Sequence, residues 1–157
     1  MKITKTNAAR LLDTLKIPYT MHQTEVDPKD LSATTMAKKL GEDPHRVFKT
    51  LVLRGDKTGV LMACIPSEEE VDLKALAKVS DNKHVEMVRL KEVFGLTGYI
   101  RGGCSPLACK KKYPVYVDET AILFDTIYIS AGMRGVQLEL DPNLLLKACE
   151  GIYAALT

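Results

Sequence analysis

A chain of 157 residues, 46% hydrophobic and 27% charged, has enough apolar material for one sizeable core and is not disordered by composition. Its formal net charge of +2 neither demands nor excludes a nucleic-acid partner, and its longest apolar runs are too short to span a bilayer, so no membrane partner is expected. Residues 1–20 lack the basic, apolar, small-residue succession of an export signal, which makes the cytoplasm the expected location.

Thr6 is placed to cap a first helix whose Ala8, Leu11, Leu12 and Leu15 share a face, with Pro18 beyond its end. Residues 19–23 alternate as a short strand, Tyr19 and Met21 to one side, Thr20 and His22 to the other. Asp27-Pro28 marks a loop, and Ser32 opens a helix through Met36, Ala37 and Leu40 that closes at Gly41. Glu42-Asp43-Pro44-His45 then turns the chain into residues 46–54, an apolar strand with an ammonium near its middle. Read with a period of two, Val47, Lys49, Leu51 and Leu53 share one face, and Phe48, Thr50 and Val52 the other. Residues 55–59 form a turn into a second buried strand, 60–65, stopped by Pro66, so the two strands are expected to pair as a hairpin.

Asp72 caps a helix with an apolar stripe of Leu73, Leu76, Ala77 and Val79; residues 85–88 read as a short strand, and 90–94 as a helix ending at Gly95. Gly95, Gly98, Gly102, Gly103 and Pro106 then crowd together around Tyr99-Ile100-Arg101, and Lys110-Lys111-Lys112 comes next. Residues 115–117, 122–124 and 127–129 read as strands, and a second glycine loop, Ser130 to Gly135, leads to a strand at 136–140. Asp141-Pro142 opens a last helix whose buried face is Leu144, Leu145, Ala148 and Ile152. Strands outnumber helices, and their alternation is too irregular for a doubly wound parallel sheet. The expected fold is therefore α+β: a single domain over residues 1–157 with a curved, mixed, largely antiparallel sheet packed by helices.

Three features are candidates to converge: Lys49, the Gly102-Gly103-Cys104-Ser105-Pro106 loop and the Ser130 to Gly135 loop. Among aliphatic neighbours an ammonium is costly unless an anion arrives; alternatively Lys49 lies on an edge strand and snorkels to solvent. Consecutive glycines can aim N–H groups at one point as an anion nest or oxyanion hole, or simply make tight turns. Neither loop has P-loop or dinucleotide-fingerprint spacing. Cys104 beside Gly103 invites a nucleophile reading, with no histidine near in sequence. Ser105 and Ser130 are hydroxyls that serve a ligand or cap the local backbone, and the Tyr19 hydroxyl lines a pocket or tops the core. The lysine run at 110–112 is a solvated turn or an electrostatic handrail for phosphates. The four cysteines and three histidines fall at no metal-ligand spacing, so no metal or cofactor site is expected, and the thiols are expected to be reduced.

Val47-Phe48-Lys49-Thr50-Leu51, Gly98-Tyr99, Gly102-Gly103-Cys104-Ser105-Pro106 with Lys110-Lys111, and the block from Tyr128 to Leu140 together resemble the YbaK/EbsC family, in order and over essentially the whole chain. That family contains free-standing proteins that deacylate mischarged transfer RNA and is similar to the editing domain of bacterial prolyl-tRNA synthetases. The resemblance implies a YbaK-like deacylase domain over residues 1–157 that takes the aminoacylated 3′ end of tRNA as its partner, cysteinyl-tRNA(Pro) foremost, with prolyl-tRNA synthetase as an implied second partner. It implies catalytic roles for Lys49, Gly102 and Gly103, the last two as backbone donors, and substrate contacts from Tyr19, Thr50, Cys104, Ser105, Ser130, Gly132, Arg134 and Gly135. In the cysteine-removing subgroup the substrate's own thiol attacks its ester carbonyl, which is proximity catalysis without a protein nucleophile. Met133 and Gln137 stand where relatives carry lysine and aspartate, and Cys104 occupies a variable position, which argues against its thiol as nucleophile. Removal of alanine or another small residue, and a non-catalytic adaptor binding tRNA or a synthetase, are the alternative readings. The oligomeric state is not legible in the sequence.

Overall fold

Two sheets meet where the lysine strand begins. The computed structural model describes residues 5–25, 29 and 33–157. Its strands are β1 (Thr20–Gln23), β2 (Phe48–Gly55), β3 (Gly59–Pro66), β4 (Val85–Met87), β5 (Val115–Asp118), β6 (Ile127–Ser130), β7 (Val136–Leu140) and β8 (Ile152–Ala154). Five form a mixed sheet in the order β4-β2-β3-β5-β8, antiparallel on the β4 side and parallel from β3 to β8. The other three form an antiparallel sheet in the order β1-β7-β6. The α+β class is as expected, but the strands divide into two sheets rather than one, joined by a parallel bridge between Val47 and Tyr128.

Alternation explains the layering. On β2 and β3, Val52, Met62 and Cys64 face a core shared with Ile127, Ile129 and Leu138 of the small sheet and with Leu12 of helix α1 (Asn7–Thr14). Leu53, Leu61, Ala63 and Ile65 face the other way, onto Leu76 and Ala77 of helix α3 (Leu73–Val79). Between them in the chain, helix α2 (Ala33–Leu40) runs to Gly41 as expected; the proposed Ser32 cap, the Asp27-Pro28 loop and the Met36 side chain lie outside the described residues. The remaining helices are α4 (Leu90–Thr97) and α5 (Pro142–Cys149).

Three expected caps form: the side chains of Thr6, Asp72 and Asp141 accept from the N–H groups of Ala9, Ala75 and Asn143. Four local expectations are corrected. Helix α4 passes through Gly95 and stops at Gly98, the residue in the left-handed conformation, so Gly95 is a helix residue and not a terminator. Residues 122–124 are not a strand: Asp118 caps a 3-10 turn, Glu119–Leu123, that leaves Leu123 exposed. Ile152 is not on α5, because Glu150 turns left-handed after Cys149 and Ile152 pairs with Tyr116 as part of β8. On α1 the buried face is Ala8, Ala9 and Leu12, with Leu15 exposed just past the helix end.

Candidate active site

The parallel bridge between Val47 and Tyr128 brings β2 and β6 into step. Two residues forward from it along β2 is Lys49 and two forward along β6 is Ser130, so the two side chains leave the junction on the same side. Ser130 in turn pairs with Gln137 across the β6–β7 ladder. These three residues share a cavity of about 370 Å³, within the roughly 300–1,000 Å³ usual for small-ligand sites. It is lined by residues 48–52 of β2, by Met87, Val88, Leu90 and Val93 from the end of β4 and from α4, and by Arg101, Gly102 and Cys104 with Ser130 and Gln137.

The lining is apolar apart from a few groups of consistent sign. Among the described residues, Lys49 and Arg101 are its cations, and no carboxylate lines it. The Lys49 side chain is half-buried and makes no hydrogen bond or ion pair with any described residue. Cys104 stays neutral beside them: burial, with the neighbouring Cys109 adding to it, pushes its thiol up to about 12, so it is protonated and unreactive near neutral pH. Two cationic residues in a largely apolar lining favour an incoming group that is negative or becomes so.

The second glycine loop closes β6 onto β7, with Ala131 N–H donating to the Val136 carbonyl and Gly132 N–H to Ser130 Oγ. The first glycine loop packs directly against it. A Cβ on Gly103 would lie 3.2 Å from the backbone N of Arg134 and the carbonyl carbon of Met133, and one on Gly132 would lie 2.7 Å from Cε1 of Tyr99. Arg134 Nε donates to the Arg101 carbonyl at 2.7 Å, and the Tyr99 hydroxyl donates to the Leu107 carbonyl, which ties the loops into one body behind Arg101 and Gly102. Gly103 and Gly132 are thus glycine because main chain and ring approach too closely for a side chain.

Of the residues singled out in the sequence, Lys49, Thr50, Gly102, Cys104 and Ser130 line the cavity. Gly103, Gly132, Arg134 and Gly135 lie outside the lining and belong to the packing of the two loops; the Gly135 carbonyl accepts from Thr24 N–H. Three assignments are corrected by hydrogen bonding. The Gly103 N–H is spent on the Ile100 carbonyl at 3.0 Å and is not free for an oxyanion, whereas the Gly102 N–H has no partner among the described residues. Ser105 is fully buried, its Oγ accepting from Leu107 N–H at 3.2 Å, so it shapes its own turn. The Tyr19 hydroxyl donates to Asp13 at 2.9 Å, away from the cavity lining. Sequence reasoning missed Arg101 as a lining cation, although a cation beside paired glycines was a usable signal. It also missed the wall from Met87 to Val93, whose residues look like ordinary core.

The sequence pattern of the aminoacyl-tRNA editing domain matches residues 27–148. The chain belongs to this family. A protein of Enterococcus faecalis named "Putative Cys-tRNA(Pro)/Cys-tRNA(Cys) deacylase EbsC" is 47% identical over 153 residues, covering 98% of this chain and 93% of that one. A crystal structure described as "a putative trans-editing enzyme for prolyl tRNA synthetase" superposes on this editing domain with a TM-score of 0.81 at 21% identity, over 98% of this chain and 99% of the other. A crystal structure of a hypothetical protein reaches 0.87 at 21% identity, over 96% and 99%. At that level of identity both structures speak for the fold of the editing domain alone. No helix among the described residues is long and apolar enough to cross a membrane.

Proposed function

We propose that this editing domain acts in trans as a deacylase of mischarged tRNA(Pro) and that cysteine is the amino acid it removes. The observation that carries the reading is a cavity whose described lining holds two cations and a protonated thiol, which can position and polarise an ester but offers no activated nucleophile among the described residues. The name of the 47%-identical relative supports the same substrate. The aminoacylated 3′ end enters the cavity with its ester between Lys49 and Gly102. The substrate's sulfur attacks the ester carbonyl carbon, the bond from that carbon to the ribose oxygen breaks, and the thiol proton ends on the departing ribose hydroxyl. The products are cysteine thiolactone and uncharged tRNA. Gly102 N–H, and Lys49 through its charge, meet the negative charge that grows on the carbonyl oxygen, and Ser130 and Gln137 face the amino acid. Prolyl-tRNA synthetase is the source of the mischarged substrate.

The deciding experiment is single-turnover deacylation of Cys-, Ser- and Ala-tRNA(Pro). Cysteine release with serine and alanine esters stable fits the substrate-thiol route. Release of serine or alanine at the cysteine rate excludes it, because those esters carry no thiol. In a separate assay with the charged tRNA in excess, product accumulating beyond the protein concentration rules out a pure binder.

A further inference from the structure

We propose that the exposed ridge of α4 beside the cavity mouth seats the single-stranded 3′ end of the RNA, with Phe94 stacking on the base that precedes the terminal nucleoside and Lys110 meeting the phosphate. This rests on the reading of the cavity as the seat of the terminal aminoacyl nucleoside. Leu90, Val93, Phe94 and Thr97 recur at the spacing of one helix face. Such a face normally packs inward, and Thr97 does, yet Leu90 is 64% and Phe94 56% exposed, as is Met87 at 47% just before the helix. Met87 and Leu90 also line the cavity, and Phe94 stands one turn beyond Leu90 on the same face of the helix. From Leu90 to Phe94 the helix rises roughly 6 Å, comparable to one step of an unstacked strand.

Charge selects the occupant. Lys110 Nζ lies 5.7 Å from the centre of the Phe94 ring, Lys91 flanks it on the helix, and Arg101 stands at the mouth. None of these three cations has an ion pair among the described residues. The acid of this helix, Glu92, is engaged elsewhere, with Arg54 and the Arg89 N–H. An apolar protein partner docking here would bury unpaired ammonium groups at a cost. A single strand supplies phosphate for the lysines and a base for the ring, the combination on which sequence-tolerant single-strand binding is built.

The test compares two substrates, cysteinyl-tRNA(Pro) and the bare cysteinyl adenosine ester, on wild type, Phe94→Ala and Lys110→Gln. Phe94→Ala is expected to raise KM for the tRNA about tenfold, the size of one lost base stack, with kcat and cleavage of the nucleoside ester unchanged. Lys110→Gln is expected to flatten the dependence of log affinity on log salt by about 0.7, one single-strand phosphate contact. An unchanged KM for the tRNA, or an equal rise on the nucleoside ester, overturns the proposal. So does a defect seen only when prolyl-tRNA synthetase is added, which marks a protein-docking face. If wild type cleaves neither substrate, the deacylase reading fails, and the ridge is judged by direct binding of an uncharged RNA ending in CCA: equal affinity of wild type and Phe94→Ala overturns it as well.

Discussion

Replacing Lys49 by methionine keeps an unbranched apolar stem while deleting the charge, and it should move activity and stability in opposite directions. The side chain is half-buried, lines a largely apolar cavity and has no partner among the described residues. At an effective dielectric constant of about 20, a unit charge about 4 Å from a full negative charge contributes about 4 kcal/mol. An ester oxygen acquires only part of that charge in the transition state, and Arg101 still faces the cavity, so about 3 kcal/mol is a reasonable loss, or two to three orders of magnitude in rate. The folded protein without substrate loses nothing by the change, because an unpaired charge near apolar surface is a cost to folding. Single-turnover deacylation of Cys-tRNA(Pro), with thermal melting of the same preparations, reads both effects. A full rate in Lys49→Met refutes the role given to the charge. A slow variant that also melts well below wild type refutes it too, since the lysine would then be structural.

Cys104→Ala should deacylate within about threefold of wild type, and the wild-type rate should show no inflection from this thiol across neutral pH, because burial holds it protonated up to about 12; a folded but inactive variant would restore a protein nucleophile. Gly103→Ala forces a methyl group to 3.2 Å from the backbone of Met133 and Arg134, where no flexible side chain can yield. It should cost about 1–3 kcal/mol in denaturant titrations and lower kcat by displacing Gly102, and an unchanged midpoint would show that the two loops do not brace each other. Glu139 accepts from Thr126 Oγ1 at 2.7 Å and lies beside His22 and Arg46; the Thr126 hydrogen bond first, then these neighbours, hold its carboxyl below the ordinary glutamate range. A depressed carboxylate lends stability that is fully present above its unfolded value and is lost as pH falls through its folded one. Melting temperature should therefore fall as pH drops below about 4.3, the unfolded glutamate value, and Glu139→Gln should flatten that slope; parallel profiles for the two proteins would show that other groups control it.

Local signals were legible where the chemistry is local. Thr6, Asp72 and Asp141 were readable as caps because a short polar side chain before an apolar period has one nearby use. The hairpin of β2 and β3 was readable because its turn and both alternations lie within 20 residues. Gly95 and Gly98 could not be ranked as helix stops from sequence, since the choice depends on where Lys110 N–H reaches back to the Thr97 carbonyl. The division into two sheets depends on the Val47–Tyr128 bridge, a contact across 81 positions that no periodicity records. The same holds for the site. Lys49 stood out because a cation in an apolar strand breaks a pattern, and the loops because glycines cluster. Leu90 and Val93 did not stand out, because an apolar residue facing a cavity and one facing a core share the same spacing.

The junction beside Lys49 is held by polar contacts rather than by close packing alone, and this bears on how a strand that is apolar on both faces keeps one register. Arg46, three residues before Lys49, donates to Glu42 at 2.8 Å, to the Thr126 carbonyl and hydroxyl, and to Glu139 at 3.3 Å, while its guanidinium lies 5.3 Å from the Tyr128 ring centre. The Tyr128 hydroxyl donates back to Glu42 at 3.0 Å. A slip of β2 by one residue would break all of these bonds together and turn Lys49 away from Ser130. Arg46 also cannot be replaced by lysine without loss, because a single ammonium cannot reach Glu42, Thr126 and Glu139 in three directions as the planar fork does. The cationic cavity thus owes its geometry to a second cation next door that is fully neutralised, and the contrast between paired Arg46 and unpaired Lys49 marks which of the two is kept for an incoming anion.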